Sequence, residues 1–155
     1  MREMKKITGL LMAMLLMLSA CGSVPLTGRK QVLLVSDQEV LSSSLTQYSD
    51  YMKSATKSSD KNESAMVTRV GKKIAAATEA YLKANGMESE IKNFQWEFNL
   101  VKDNQINAFC MPGGKIVVYE GLMSLVSSDD ELAVVVGHEV AHAVAKHSNE
   151  RMSQQ

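Results

Sequence analysis

Apolar positions between residues 36 and 56 recur at helical spacing: Val40, Leu41, Leu45, Tyr48 and Met52 share one stripe. Ser36-Asp37-Gln38-Glu39 precedes them with the spacing of a capping box, so a helix is predicted over about 37–56. Residues 58–62 are a polar break. A second stripe, Val67, Val70, Ile74, Ala77 and Tyr81, predicts a second helix that stops at Asn85-Gly86, a common left-handed terminator. The period then changes to two. Phe94, Trp96, Phe98 and Leu100 alternate with Gln95, Glu97 and Asn99, the pattern of a half-buried strand. An extended piece over about 107–111, a turn at Pro112-Gly113-Gly114 and a return strand over about 115–119 predict a hairpin. Ser128-Asp129-Asp130-Glu131 starts a last helix, with acidic residues where a helix N-terminus favours them. That helix is apolar nearly all round from Leu132 to Val136, which predicts burial at the centre of the domain.

The N-terminus reads as an address. Arg2, Lys5 and Lys6 precede an apolar stretch over 7–18, the layout of a secretory signal and too short to span a bilayer, which takes about 20 residues. Leu18-Ser19-Ala20-Cys21 resembles the lipobox of bacterial lipoproteins, which assigns cleavage before Cys21 and lipidation of its sulfur. An acylated Cys21 anchors the chain to a membrane, each buried methylene contributing about 0.8 kcal/mol. Gly22 follows the cysteine, and no acidic retention signal is present. The expected location is therefore the bacterial cell envelope, at the outer membrane facing the periplasm. The organisation expected is a signal peptide over 1–20, a lipidated tether over 21–35 and a folded domain over 36–155.

Composition changes this picture little. The chain has 155 residues and a formal net charge of zero, with no basic stripe of the kind a nucleic-acid partner requires. With Cys21 acylated, Cys110 has no partner for a disulfide and reads as a buried thiol.

The last helix carries the chemistry. His138-Glu139-Val140-Ala141-His142 is an H-E-x-x-H pattern. Two histidines at i and i+4 lie one turn apart on the same face, so their imidazoles can converge on one zinc ion. Glu139, rotated by roughly 100°, is placed to act on a water and not on the metal, as a general base. His147 on a continuing helix would point about 140° away from His142, which favours a supporting or surface role over ligation. Glu150 would stand about 12 Å along that helix and fails as a ligand by the same geometry. A catalytic zinc site normally has three protein ligands and an open position, and the third is not evident.

These residues resemble the zinc metallopeptidases that include HtpX and the CAAX prenyl proteases, in their periplasmic lipoprotein branch. The likeness is carried by Asn107-Ala108-Phe109-Cys110-Met111-Pro112-Gly113-Gly114-Lys115-Ile116, by Glu120-Gly121-Leu122, by Glu131-Leu132-Ala133 and by residues 137–142. Ala145-Lys146-His147 and Glu150-Arg151-Met152 continue it. It is close from residue 107 onward and loose from about residue 45. The resemblance implies His138 and His142 as ligands of one Zn2+ per chain and Glu139 as catalytic base. It further implies a third ligand, a Glu on a later helix beyond residue 155, and substrate backbone bound as an added strand beside the hairpin.

The fold expected is α+β and zincin-like: two scaffold helices and a small sheet with a hairpin over the buried motif helix, in an incomplete domain. The function expected is that of a membrane-anchored zinc metalloendopeptidase hydrolysing misfolded cell-envelope proteins. Two alternatives stand beside it. One is an inactive zinc-binding or chaperone-like lipoprotein lacking the third ligand, and the other a purely structural lipoprotein.

Overall fold

The first predicted cap forms as its spacing requires. In the computed structural model, which describes residues 21–23, 28, 30–32 and 34–154, helix α1 runs over Asp37–Ser54. The Ser36 hydroxyl accepts from the Glu39 amide while the Glu39 carboxylate accepts from the Ser36 amide. The signal segment expected over 1–20 lies outside the described residues. Within the segment read as a tether, β1 (Cys21–Ser23) and β2 (Lys30–Val32) pair antiparallel.

Helix α2 spans Lys61–Ala84, capped by Asp60, whose carboxylate accepts from the Asn62 and Glu63 amides. It ends at Asn85, with Gly86 at φ +71°, as the Asn-Gly pair predicts. Its buried face differs from the predicted one. Val67, Val70, Gly71, Ala75 and Leu82 are buried, whereas Ala77 and Tyr81 are exposed. Val67, Val70 and Ile74 suit either face, and only the docked sheet chooses between Tyr81 and Leu82. Gly71 is the contact point: a Cβ there would overlap the Phe98 ring, so glycine lets the helix lie directly on the first sheet strand. The chain then makes a single turn, α3 (Glu88–Ile91), which no periodicity announced.

The sheet has three strands, β3 (Glu97–Val101), β4 (Ala108–Met111) and β5 (Lys115–Tyr119), in the order β3-β5-β4. The hairpin is β4–β5, antiparallel as predicted, while β3 pairs with β5 in parallel. Phe94 and Trp96 fall before β3 and stack on each other with centroids 4.6 Å apart. At the turn Gly114 has φ +78°, and a Cβ would come within 2.7 Å of the Trp96 ring. Backbone sign and space thus both demand glycine there.

Alternation sorts the sheet's side chains between two layers. Ile116, Val118 and Leu100 join the core under α2, while Val117, Val101 and Tyr119 join a smaller cluster with Tyr48 of α1. Strand β5 is buried at all five positions because it is central and covered on both faces. After α4 (Glu120–Met123), helix α5 (Asp129–Val144) packs beside α2 against β4.

The expectation that α5 is buried at the centre is not met. Leu132, Val136, Val140 and Val144 form one buried stripe at four-residue spacing, whereas Val134 is 74% exposed. The four-residue stripe docks on α2 and the sheet, and the rest of the apolar run is left over. Short helix α6 (His147–Ser153) closes the described chain, and its Ser153 hydroxyl accepts from the Leu34 amide at 2.9 Å. The architecture is thus helical with a small three-stranded sheet. Among the described residues no helix is long and apolar enough to cross a membrane.

Candidate metal centre

Helix α5 is fixed in rotation before its polar residues matter. Its first turn is held to α2 by Arg69, whose guanidinium donates to both Asp129 carboxylate oxygens at 2.8 and 2.6 Å. The Arg69 side chain in turn holds the Asp129 carboxyl below its ordinary range. With the Leu132–Val144 stripe facing inward, His138 and His142 face outward together, and both are exposed. Their Nε2 atoms approach to 2.9 Å and their rings cross at 88°. Two ligands of one zinc ion, each at about 2.0–2.1 Å, stand roughly 3 Å apart. The pair therefore fits one edge of a zinc coordination sphere.

Glu139 is half-buried and faces the edge strand β4. With Cys110, Phe109, His142 and His147 it lines an open cleft of about 690 Å³. Burial pushes the Cys110 thiol up to about 12, and the nearby Glu139 carboxylate adds to the rise. The side chain expected as a buried thiol is only partly buried, on the edge strand β4.

The helix does not continue past the motif, which corrects the geometry assumed for His147 and Glu150. Helix α5 ends at Val144, and Lys146 takes left-handed angles, φ 56° and ψ 34°. It is the sole non-glycine residue with positive φ among the described residues, and such a conformation costs a side-chain-bearing residue about 1–2 kcal/mol. The chain turns there, and His147 swings back until its Nδ1 lies 2.6 Å from the Nδ1 of His142. Glu150 comes to the wall of the same cleft. All three histidines of the chain are therefore contiguous. Among the described residues, however, no group of three or more His, Cys, Asp or Glu is placed to hold a metal ion; the donors that converge are two nitrogens.

Sequence reasoning missed Lys146. Its side chain is 17% exposed, and its amine donates to Asp37 at 2.5 Å and to Glu90 at 3.1 Å. Asn149 donates to the other Asp37 oxygen at 2.6 Å. Burial by itself lowers the Lys146 pKa, but the two carboxylates outweigh it and hold the amine above its ordinary value. Nothing in Ala145-Lys146-His147 signals a turn, since neither Gly nor Asn is present.

Residues 62–155 match peptidase family M48. The chain belongs to that family. Over 65 residues it is 49% identical to the mitochondrial metalloendopeptidase OMA1 of Arabidopsis thaliana, covering 42% of this chain and 13% of that protein. Over 132 residues it is 29% identical to the mitochondrial metalloendopeptidase OMA1 of Bos taurus, covering 83% of this chain and 24% of the relative. It is also 37% identical over 60 residues to the beta-barrel assembly-enhancing protease of Yersinia pestis, covering 39% of this chain and 12% of that protein. The chain thus spans less than a quarter of the length of each of these relatives.

The relatives correct one expectation for this M48 chain. The N-terminal pattern led to a bacterial outer-membrane location facing the periplasm. The OMA1 relatives from plant, fission yeast, cattle, budding yeast and human are mitochondrial proteins, and that assignment is withdrawn.

Proposed function

We propose that this M48 chain carries the zinc-binding histidine pair and the general base of a zinc metalloendopeptidase. The observation that carries the reading is the 2.9 Å approach of the His138 and His142 Nε2 atoms on the exposed face of α5, beside a cleft that Glu139 lines. In this reading residues 36–155 belong to a zincin-like metallopeptidase domain. His138 and His142 hold one Zn2+, and the remaining protein ligand comes from outside the described residues. A zinc ion held there would supply Lewis-acid chemistry. Glu139 takes the proton of the attacking water and returns it to the leaving amine. Strand β4 is hydrogen-bonded to β5 on one side only, so its outer edge is available to substrate backbone as an added strand. The substrates are proteins, misfolded ones by family resemblance. Attachment to a membrane through an acylated Cys21 belongs to the same proposal and implies no compartment.

A second reading, an inactive zinc-binding or chaperone-like protein, is favoured by the two-donor set. Glu139→Gln separates the two. In the full chain it should leave bound zinc unchanged, measured by elemental analysis after dialysis, and abolish cleavage of an unfolded protein substrate. A His138→Ala, His142→Ala double variant should lose the zinc. Zinc retained by the double variant would refute both readings; zinc lost there, with no hydrolysis by the wild type, leaves the inactive one.

A further inference from the structure

We propose that Lys146 and His147 form a positioning unit for the metal site: the left-handed turn at Lys146, latched by Asp37 and Glu90, seats His147 as the partner of the His142 Nδ1. The inference rests on the reading of His142 as a metal ligand and deepens it. A metal-binding imidazole is oriented by what its second nitrogen contacts, and for His142 that contact is the His147 Nδ1 at 2.6 Å. On an uninterrupted helix this contact is out of reach, because five residues turn the side chain about 140°. The break after Val144 is what creates it.

The break has a specific holder. Lys146 lacks the glycine hydrogen that suits its conformation, and its side chain compensates from a distance in sequence. Its amine bridges Asp37 at the start of α1 and Glu90 of α3. Asn149, in the first turn of α6, bonds the same Asp37 carboxylate, so turn and following helix are tied to one point. Ser153 fastens the far end of α6 to the Leu34 amide. Helix α6 is thus held at both ends, with His147 as its first residue. When His142 donates from Nδ1 to the His147 Nδ1, its Nε2 lone pair is left facing His138, where the metal is proposed. Lys146 touches neither substrate nor metal and acts through His147.

The test uses the full chain with Zn2+ itself, titrated in competition with a chromogenic chelator, and reads the metal-free His142 tautomer by long-range proton–nitrogen NMR. His147→Ala should weaken zinc binding about 10–100-fold. Lys146→Gly keeps a residue suited to the left-handed turn and removes the latch, so it should weaken binding in the same direction. The double variant should bind within about twofold of His147→Ala, since both changes act on one contact. Without metal, His142 should carry its proton on Nδ1 in the wild type and lose that preference in both single variants. The inference is overturned if His147→Ala binds zinc as the wild type does, if the two losses add, or if the tautomer is indifferent to both changes. A wild type that takes up no zinc removes the metal reading, and the inference falls with it. A wild type that binds while His147→Ala binds equally removes the inference alone.

Discussion

A buried lysine, Lys115, and a half-buried one, Lys146, tie α1 to later parts of the chain, and they hold different things. Lys115 opens the central strand β5, its side chain 5% exposed, donating to the Gln95 carbonyl and the Glu97 carboxylate at 2.6 Å each. Tyr48 of α1 donates to the other Glu97 oxygen at 2.9 Å, and Asn99 donates to the Tyr48 hydroxyl. Around it the backbone is already determined, since β5 is hydrogen-bonded on both sides and apolar on both faces. Lys146 also bridges two acceptors, but it sits at a left-handed turn between two helices that no ladder holds. The first network adds stability to a frame that exists without it. The second sets an angle, and the angle decides which side chain meets His142.

That contrast presupposes a site for the angle to serve, so the largest effect tests the site. Glu139→Gln should lower peptidase turnover by about 10²–10⁴-fold with an unchanged melting temperature, measured on an unfolded protein substrate; equal turnover would leave Lys146 nothing catalytic to support. Next comes the frame. Glu97→Ala leaves the Lys115 ammonium buried with a single carbonyl and should cost about 2 kcal/mol in urea unfolding. That is below the roughly 3–5 expected of a fully buried pair, because half of the Glu97 side chain sees water. Lys115→Met removes the charge with its desolvation and should cost less, about 1 kcal/mol. The reverse order would mean that the lysine is held by something other than Glu97.

The same network predicts an acid response. The Lys115 hydrogen bond, helped by that from Tyr48, holds the Glu97 pKa below its ordinary value against the opposing effect of burial. A depressed carboxylate stabilises the fold above its unfolded pKa, about 4.3, and that contribution disappears as pH falls through the depressed value. The stability gap between wild type and Lys115→Met should therefore be present near pH 7 and shrink near pH 3. A gap that persists in acid would place the origin of the Lys115→Met loss in packing.

The frame was largely legible because its signals are local. The Ser36 capping box, the Asn85-Gly86 stop and the Pro112-Gly113-Gly114 hairpin each follow from neighbouring residues, and each forms. What local patterns could not carry was the direction of burial. Val134 is as apolar as Val136, yet it is exposed because the docked stripe takes every fourth residue. The parallel pairing of β3 with β5 joins segments separated by the whole of β4, so alternation at Phe98 and Leu100 is silent on it. The pairing of His138 with His142 was legible from i, i+4 spacing. The contact with His147 was not, since helix α5 ends at Val144 and the chain turns at Lys146, which is held by Asp37, 109 residues away.

The smallest effect separates the two lysines most sharply. Lys146→Gly removes two ion pairs whose carboxylates are 46% and 29% exposed, and such partly exposed pairs contribute about 0–1 kcal/mol each. It also relieves a left-handed lysine, worth about 1–2 kcal/mol, and returns some flexibility to the unfolded chain at a cost of about 0.4–1 kcal/mol. These contributions nearly cancel, so the net loss in urea unfolding should stay under about 1 kcal/mol. Stability alone would then rank Lys146 below Lys115, although Lys146 is the residue with the closer bearing on His142. A loss of about 2 kcal/mol or more would make it a staple of the same kind as Lys115. A near-neutral result, together with weakened zinc binding, means that its pairs are spent on holding the turn that carries His147.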